Sequence, residues 1–385
     1  MKKFSLCLIA AGLSVLLLFS CIFPGNGDND NDNDTDDDTS EFVAVTGIDG
    51  VPGTLLIGIP KTLSGEVQPA NATNSTITWS VKTAGDTGAV ITDGSLEAEN
   101  EGTITVTATI ANGKSASADF TKDFEITVYD GREFWAQNMV NEKFYKVEAV
   151  LSAENDYCQV WVEIGADVNK ETAEEIAKVY EEKVYTDLVE TFGLDKFESA
   201  DGEVNIMDLA TSEIYNADDV GKLRILLLDI QDGYDGKGGY VDGYFWSGNY
   251  TSQDTWDNYD PDIKSNEIGM IYIDTNPGIP GSDESNMTLA HESQHLMNYI
   301  VRSEIAFMWD DDIYLMDTWI DEGLSSAAEW IFAGEHGDKW KWYNDNVGLI
   351  SEGNTFFVWG NRENEDPEAI LADYSTVYLF FQWLR

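Results

Sequence analysis

Apolar and polar positions change rhythm three times along this chain. Residues 42–130 alternate with a period of two: Thr76-Ile77-Thr78-Trp79-Ser80-Val81 and Thr103-Ile104-Thr105-Val106-Thr107-Ala108-Thr109 each place every second side chain on one face. Turn residues punctuate them roughly every 8 to 12 positions, the texture of a small β-sandwich. From Gly131 onward the rhythm is mixed. Phe144–Leu151 and Gln159–Ile164 read as strands, and Lys222–Ile230 and Glu267–Asp274 as buried ones. Lys170–Phe192 reads as one amphipathic helix, with Ile176, Val179, Tyr180, Val184, Leu188 and Phe192 on its apolar side and Gly193 ending it. A second helix is predicted around Met287, Ala290, Leu296 and Ile300, capped by Ser285 or Asn286, and a third around Ile320, Leu324, Ala327, Ala328 and Ile331, capped by Asp317.

The two ends behave differently. Lys2 and Lys3 precede an apolar run, Leu6–Phe19, that is shorter than the roughly 18 residues of a membrane span. It leads into Leu18-Phe19-Ser20-Cys21, which looks like a bacterial lipoprotein cleavage site, so residues 1–21 read as a signal peptide. Mature protein is then expected to begin at a lipidated Cys21 and to partition into detergent, and an unmodified N-terminus free in the medium would contradict this. Ile22 lacks the aspartate of an inner-membrane retention signal, which favours an extracytoplasmic place on the outer membrane or cell surface. Residues 22–41, rich in Gly, Asn and Asp, have too little apolar surface to fold and read as a disordered acidic tether. The chain stops at Trp383-Leu384-Arg385 inside an apolar helical pattern, as a truncated domain would.

Composition narrows the function. With 71 acidic against 22 basic residues the formal charge is −49, which excludes nucleic acid as a partner because phosphate contacts need clustered Lys and Arg. Of three cysteines, Cys7 leaves with the signal and Cys21 carries lipid, so Cys158 is left without a disulfide partner, an inert core thiol.

The chemistry concentrates in His291-Glu292-Ser293-Gln294-His295. This HExxH pattern uses two of the chain's three histidines. Histidines four apart share a helix face and can reach one ion, and the intervening glutamate can act on water beside it. A catalytic zinc normally takes three protein ligands. Asn298 and Val301 stand where a metzincin would continue with Gly and His, so the third ligand is sought on a second helix, Asp317–Glu329. Glu322 and Glu329 are the candidates there. Glu292 fits a general base, and His336, Tyr374 and Tyr378 are candidate donors to a developing oxyanion, Tyr374 being preferred. The loop Asp229–Asp242, with its aspartates and glycines, makes Ca²⁺ a second candidate ion beside Zn²⁺.

Two resemblances add to this. VQPANATNSTITWSV, DGSLEAENEGTITVTATIANGK and FEITVYD together resemble the bacterial Ig-like domains of group 2, modules that serve as surface spacers or adhesive units. AHESQHLMNYI, WIDEGLSSAAEW, NEIGMIYID and DYSTVYLFFQWL resemble the hyicolysin-type zinc metallopeptidases of the gluzincin clan, and WIDEG is similar to the segment that carries that clan's glutamate ligand. The resemblance implies His291, His295 and Glu322 as zinc ligands and a protein or peptide substrate. The expected architecture is therefore multidomain: an all-β Ig-like sandwich over 42–130, then an α+β zincin-like domain over 131–385. The expected function is a membrane-anchored zinc endopeptidase. The alternative is a surface adhesion or structural lipoprotein whose zincin-like domain is inactive, although such degeneration tends to remove the HExxH glutamate or a ligand, and none is missing.

Overall fold

The computed structural model describes residues 41–192, 194–199, 202–206, 210–211, 221–309, 316–334, 337–353, 355–360 and 369–384. Cys21, the signal segment, nearly all of the acidic tether, Gly193 and His336 lie outside the described residues.

The N-terminal part is built from β1 (Gly47–Asp49), β2 (Thr54–Leu56), β3 (Lys61–Thr62), β4 (Glu66–Gln68), β5 (Thr78–Thr83), β6 (Val90–Thr92), β7 (Ser95–Glu97), β8 (Gly102–Ser115) and β9 (Ala118–Tyr129). A four-stranded sheet, β2-β9-β8-β5, accompanies a three-stranded one, β3-β7-β6, and the pair β1-β4. Alternation in β8 is realised residue by residue: Ile104, Val106, Ala108 and Ile110 are fully buried while the threonines between them stay nearer the surface. Leu55, Leu96, Ile126 and Val128 pack with Ile104 and Val106, and Val45 and Ile48 pack with Ala108 and Ile110.

One residue, Asp130, separates β9 from β10 (Gly131–Gln137), the first strand of the second part. Across the junction Glu148 takes a hydrogen bond of 2.8 Å from Thr54 Oγ1 and pairs with Lys61. The second part centres on a six-stranded sheet in the order β10, β11 (Phe144–Glu154), β12 (Cys158–Glu163), β15 (Leu223–Leu228), β17 (Met270–Asp274), β16 (Gly243–Phe245). The hairpin β13 (Phe197–Ser199)–β14 (Gly202–Val204) stands apart from it. Strands β12, β15 and β17 run parallel, and β16 closes one edge antiparallel to β17. The interior strands β15 and β17 are buried at every residue, so they read in sequence as largely apolar runs, broken only by the buried Arg224 and Asp274. Leu223, Ile225 and Leu227 face one layer, where the helices lie, and Leu226 and Leu228 face the other, under Trp161, Tyr244 and Trp246. Cys158 is free and buried in the helix-side layer, where burial pushes its thiol up to about 12.

The helices are α1 (Lys170–Val179), α2 (Thr186–Phe192), α3 (Gln253–Tyr259), α4 (Asp283–Trp309), α5 (Thr318–Ala333), α6 (Gly337–Asp345), α7 (Val347–Ser351) and α8 (Ala369–Leu384). The single helix expected over 170–192 is interrupted by a π segment at Tyr180–Tyr185. Its buried residues Ile176, Tyr180, Val184 and Leu188 recur every four positions. A 3.6-residue turn would let that stripe drift off the core, and the wider i→i+5 turn brings it back into phase.

Candidate metal centre

Helix α4 carries the HExxH motif across the helix-side face of the sheet, with Leu289, Ala290, Leu296, Met297 and Ile300 buried beneath it. Its cap is one turn earlier than the sequence suggested. Ser282 Oγ accepts from the Ser285 N–H at 3.1 Å, and Ser282 O accepts from the Asn286 N–H at 3.0 Å. Asn286 instead reaches back to donate to Gly281 O at 3.3 Å. The acidic pair Asp283–Glu284 suits the positive end of the helix and lets it start sooner.

His291 and His295 fall on the face of α4 that meets α5. Their Nε2 atoms are 3.0 Å apart, and Glu322 Oε2 lies 3.3 Å from the first and 3.7 Å from the second. Bonds of about 2.0–2.1 Å to a tetrahedral zinc would separate ligand atoms by about 3.3 Å, so these three atoms are spaced to hold such an ion. Glu322 Oε2 is also buried with no hydrogen bond of normal geometry. A buried acceptor without a donor is costly unless something cationic satisfies it. Among the described residues this is the one group of three potential ligands gathered at metal-binding range.

The backs of both imidazoles are held by carboxylates. His291 Nδ1 is 2.7 Å from Glu329 Oε1, and His295 Nδ1 is 2.9 Å from Asp321 Oδ2. Asn298 Nδ2 donates to the other Asp321 oxygen at 2.6 Å. Glu329, considered from sequence as a rival to Glu322, therefore belongs on the far side of the ring: two helical turns put both glutamates on one face, but Glu329 meets Nδ1 where Glu322 meets Nε2. Such contacts fix which nitrogen is free to bind a metal.

Helix α5 can deliver these carboxylates because residue 323 has no side chain. A Cβ on Gly323 would lie 2.2 Å from Phe381 Cε2 and 2.8 Å from Val377 Cγ2 of α8. That close approach brings α8, and with it Tyr374, to the site. Asp317 occupies the N-cap position expected for it, but the cap works through its carbonyl, which accepts the Ile320 and Asp321 N–H groups, rather than through its side chain.

Glu292 and Tyr374 line the same cleft as the histidines and Glu322. Burial raises the Glu292 carboxyl above its usual range, although the two imidazoles and the Phe245 N–H oppose the shift. Burial also drives the Tyr374 phenol well above its ordinary value, reinforced by the Glu322 and Glu292 charges, so it stays protonated and able to donate. Tyr378 is fully buried one turn further along α8 and does not line this cleft. A space of about 470 Å³ opens beside Phe245, Trp246 and Tyr299, and another of about 550 Å³ beside Tyr240, Met287 and Trp342. They share Gly243, His291, Glu292 and Tyr374, so the cleft continues past the centre on both sides of the edge strand. Gly243 is pressed onto α4: a Cβ there would meet Thr288 Cγ2 at 2.7 Å and Tyr272 O at 2.9 Å.

In the 229–242 loop, the candidate Ca²⁺ segment, no three carboxylates gather at metal-binding range among the described residues. Asp232 accepts the Tyr234 and Val241 N–H groups at 2.8 and 2.7 Å, and Asn276 Nδ2 donates to Asp229 at 3.3 Å. Asp242 takes the Thr288 hydroxyl, tying the loop to α4. Asp232 thus closes the loop on itself, while Asp229 and Asp242 tie its ends to neighbouring segments.

The imidazole charges carry a testable consequence. Burial disfavours a charged His291, but Glu322 and Glu329 outweigh it and raise the ring to about 10 from an ordinary 6.5. In metal-free protein this contribution to stability is complete below the unfolded value and is lost as pH rises through the folded one. Ionisation of Glu292, raised by burial, works in the same direction. Chelator-treated protein is expected to melt at progressively lower temperature from about pH 6.5 to 10 by scanning calorimetry. A flat profile over that range would contradict the coupling.

The bacterial Ig-like domain (group 2) family matches residues 44–120, so an Ig-like domain is present in the strand-rich N-terminal part. The chain is also 28% identical over 262 residues to the neutral metalloprotease ShpI of Staphylococcus hyicus, an alignment covering 66% of this chain and 51% of the relative. The chain thus spans about half the length of the curated relative it matches.

Proposed function

We propose that this chain is a zinc-dependent endopeptidase of the zincin type that hydrolyses protein or peptide substrates. The observation that carries the proposal is the convergence of His291 Nε2, His295 Nε2 and the buried Glu322 Oε2, with Glu292 beside them in an open cleft. Similarity to a neutral metalloprotease supports the same reading.

In this proposal His291, His295 and Glu322 hold the ion. Zinc there supplies Lewis acidity, making water easier to deprotonate and a carbonyl easier to attack. Glu292 takes the proton from the attacking water and passes it to the leaving amine. Its burial-raised affinity for protons suits both halves of that transfer. Tyr374, kept protonated, donates to the carbonyl oxygen as negative charge develops on it. Asp321 and Glu329 keep the rings from turning. The cleft's two arms leave room for chain on either side of the scissile bond, which favours an endopeptidase over an enzyme that trims ends.

Purified protein is expected to cleave casein, to stop when zinc is stripped by 1,10-phenanthroline, and to resume when zinc is returned. Cleavage that persists after zinc has been removed would place the activity elsewhere. Zinc binding without hydrolysis of any denatured protein would favour a binding or adhesive role.

A further inference from the structure

We infer that Lys339 is a positioning residue of this centre, bridging the carboxylate behind His291 and the ring of Tyr374. The inference rests on the function proposed above. Lys339 lies on α6 and is only 4% exposed. Its Nζ is 3.3 Å from Glu329 Oε1, the oxygen that is also 2.7 Å from His291 Nδ1. The same ammonium stands 4.9 Å from the centroid of the Tyr374 ring and 5.1 Å from that of Trp342.

A buried ammonium needs a compensating partner. In a chain with 71 acidic and 22 basic residues, surface carboxylates are abundant, yet this lysine is enclosed against the one that backs His291 Nδ1. Two consequences follow from the geometry. Glu329 Oε1 is fixed from two directions, by the imidazole and by the ammonium, so the ring it backs cannot easily swing Nε2 away from Glu322. A desolvated cation near the Tyr374 ring also fixes the plane of that phenol through cation–π attraction. One side chain thereby couples the orientation of a metal-binding imidazole to that of the oxyanion donor, acting through Glu329 and through the face of the Tyr374 ring.

The alternative is that Lys339 merely fills space between Trp342 and Tyr374. Lys339→Met separates the two, because methionine keeps the unbranched stem and the apolar packing but removes the charge. In full-length protein loaded with Co²⁺ in place of zinc, the visible d–d absorption of K339M is expected to shift from wild type. Release of zinc to a chelator should quicken, by less than the roughly 10- to 100-fold that loss of Glu329, directly behind the ligand, would bring. On casein, kcat should fall about 10-fold while KM stays within about twofold, the split expected when an interaction acts in the transition state. Lys339→Arg, which retains the cation, is expected to recover most of the cobalt spectrum and of kcat.

A K339M protein with wild-type cobalt spectrum, zinc release and kcat overturns the inference, whatever its melting temperature. So does a K339R protein as impaired as K339M. If K339M does not accumulate in folded form, Lys339→Gln, neutral and polar, is read against the same outcomes. Failure of the wild-type protein itself to bind Co²⁺ or cleave casein would overturn the proposed function and this inference together. A competent wild type with a silent K339M overturns the inference alone.

Discussion

Glu292→Gln is expected to bind zinc like the wild type and to lose peptide hydrolysis by at least about 10²–10⁴-fold, the range that general acid–base transfer contributes. Glutamine has the shape of the original side chain and can still accept the Phe245 N–H, so the packing of α4 against β16 should survive. What it lacks is basicity. The variant isolates proton transfer from metal binding because Glu292 is not among the three atoms that converge at the centre. Two measurements decide it: zinc stoichiometry by atomic absorption and kcat on casein. A variant that cleaves at the wild-type rate would remove Glu292 from the mechanism. A variant that loses zinc as well would mean that the buried carboxyl also shapes the metal site, and the loss of rate could not then be read as proton transfer.

The parts of this structure legible in the sequence are those governed by local period. Alternation placed the β8 core, since every second residue from Ile104 to Ile110 is buried. The i, i+4 spacing put both histidines on one face of α4, and the apolar run of β15 needed no partner information to be read as a buried strand. What failed to show depends on contacts between distant segments. The cap at Ser282 depended on where the preceding loop delivers the chain, which the capping preferences of Ser285 and Asn286 do not encode. The π segment at Tyr180–Tyr185 is a compromise between helix and core, and its one trace in the sequence is an apolar repeat of four. Spacing alone could not tell Glu322 from Glu329, because residues seven apart share a helix face and the choice is between the two nitrogens of one imidazole.

Other signals in the sequence were local but ambiguous. The aspartates of 229–242 have the composition of a calcium loop, and the same composition serves a glycine-rich turn that must satisfy its own backbone N–H groups. Asp321 carried no signal beyond standing next to Glu322, yet it orients His295. Lys339 is 44 positions from His295 (339 − 295) and reaches the centre only because α6 and α8 fold back over α5. A titratable side chain buried by tertiary packing leaves no periodic trace.

That same ambiguity between the two glutamates makes metal retention the sharper test of the site. His295→Ala and Glu322→Ala are each expected to abolish stoichiometric zinc, whereas Glu329→Ala should keep zinc and bind it roughly 10- to 100-fold more weakly. The order follows from which atom each residue presents. His295 Nε2 and Glu322 Oε2 face the point where the three ligand atoms converge, so removing either leaves two ligands where a catalytic zinc needs three. Glu329 Oε1 faces His291 Nδ1, so its loss frees the ring to rotate without subtracting a ligand. Zinc per chain after gel filtration, with circular dichroism to establish that each variant is folded, separates the cases. If H295A retains a full equivalent of zinc, the ion is bound elsewhere. If E329A loses the metal while E322A keeps it, the two glutamates exchange roles, and the approach of α5 to α4 would have to differ by enough to turn Glu329 toward Nε2.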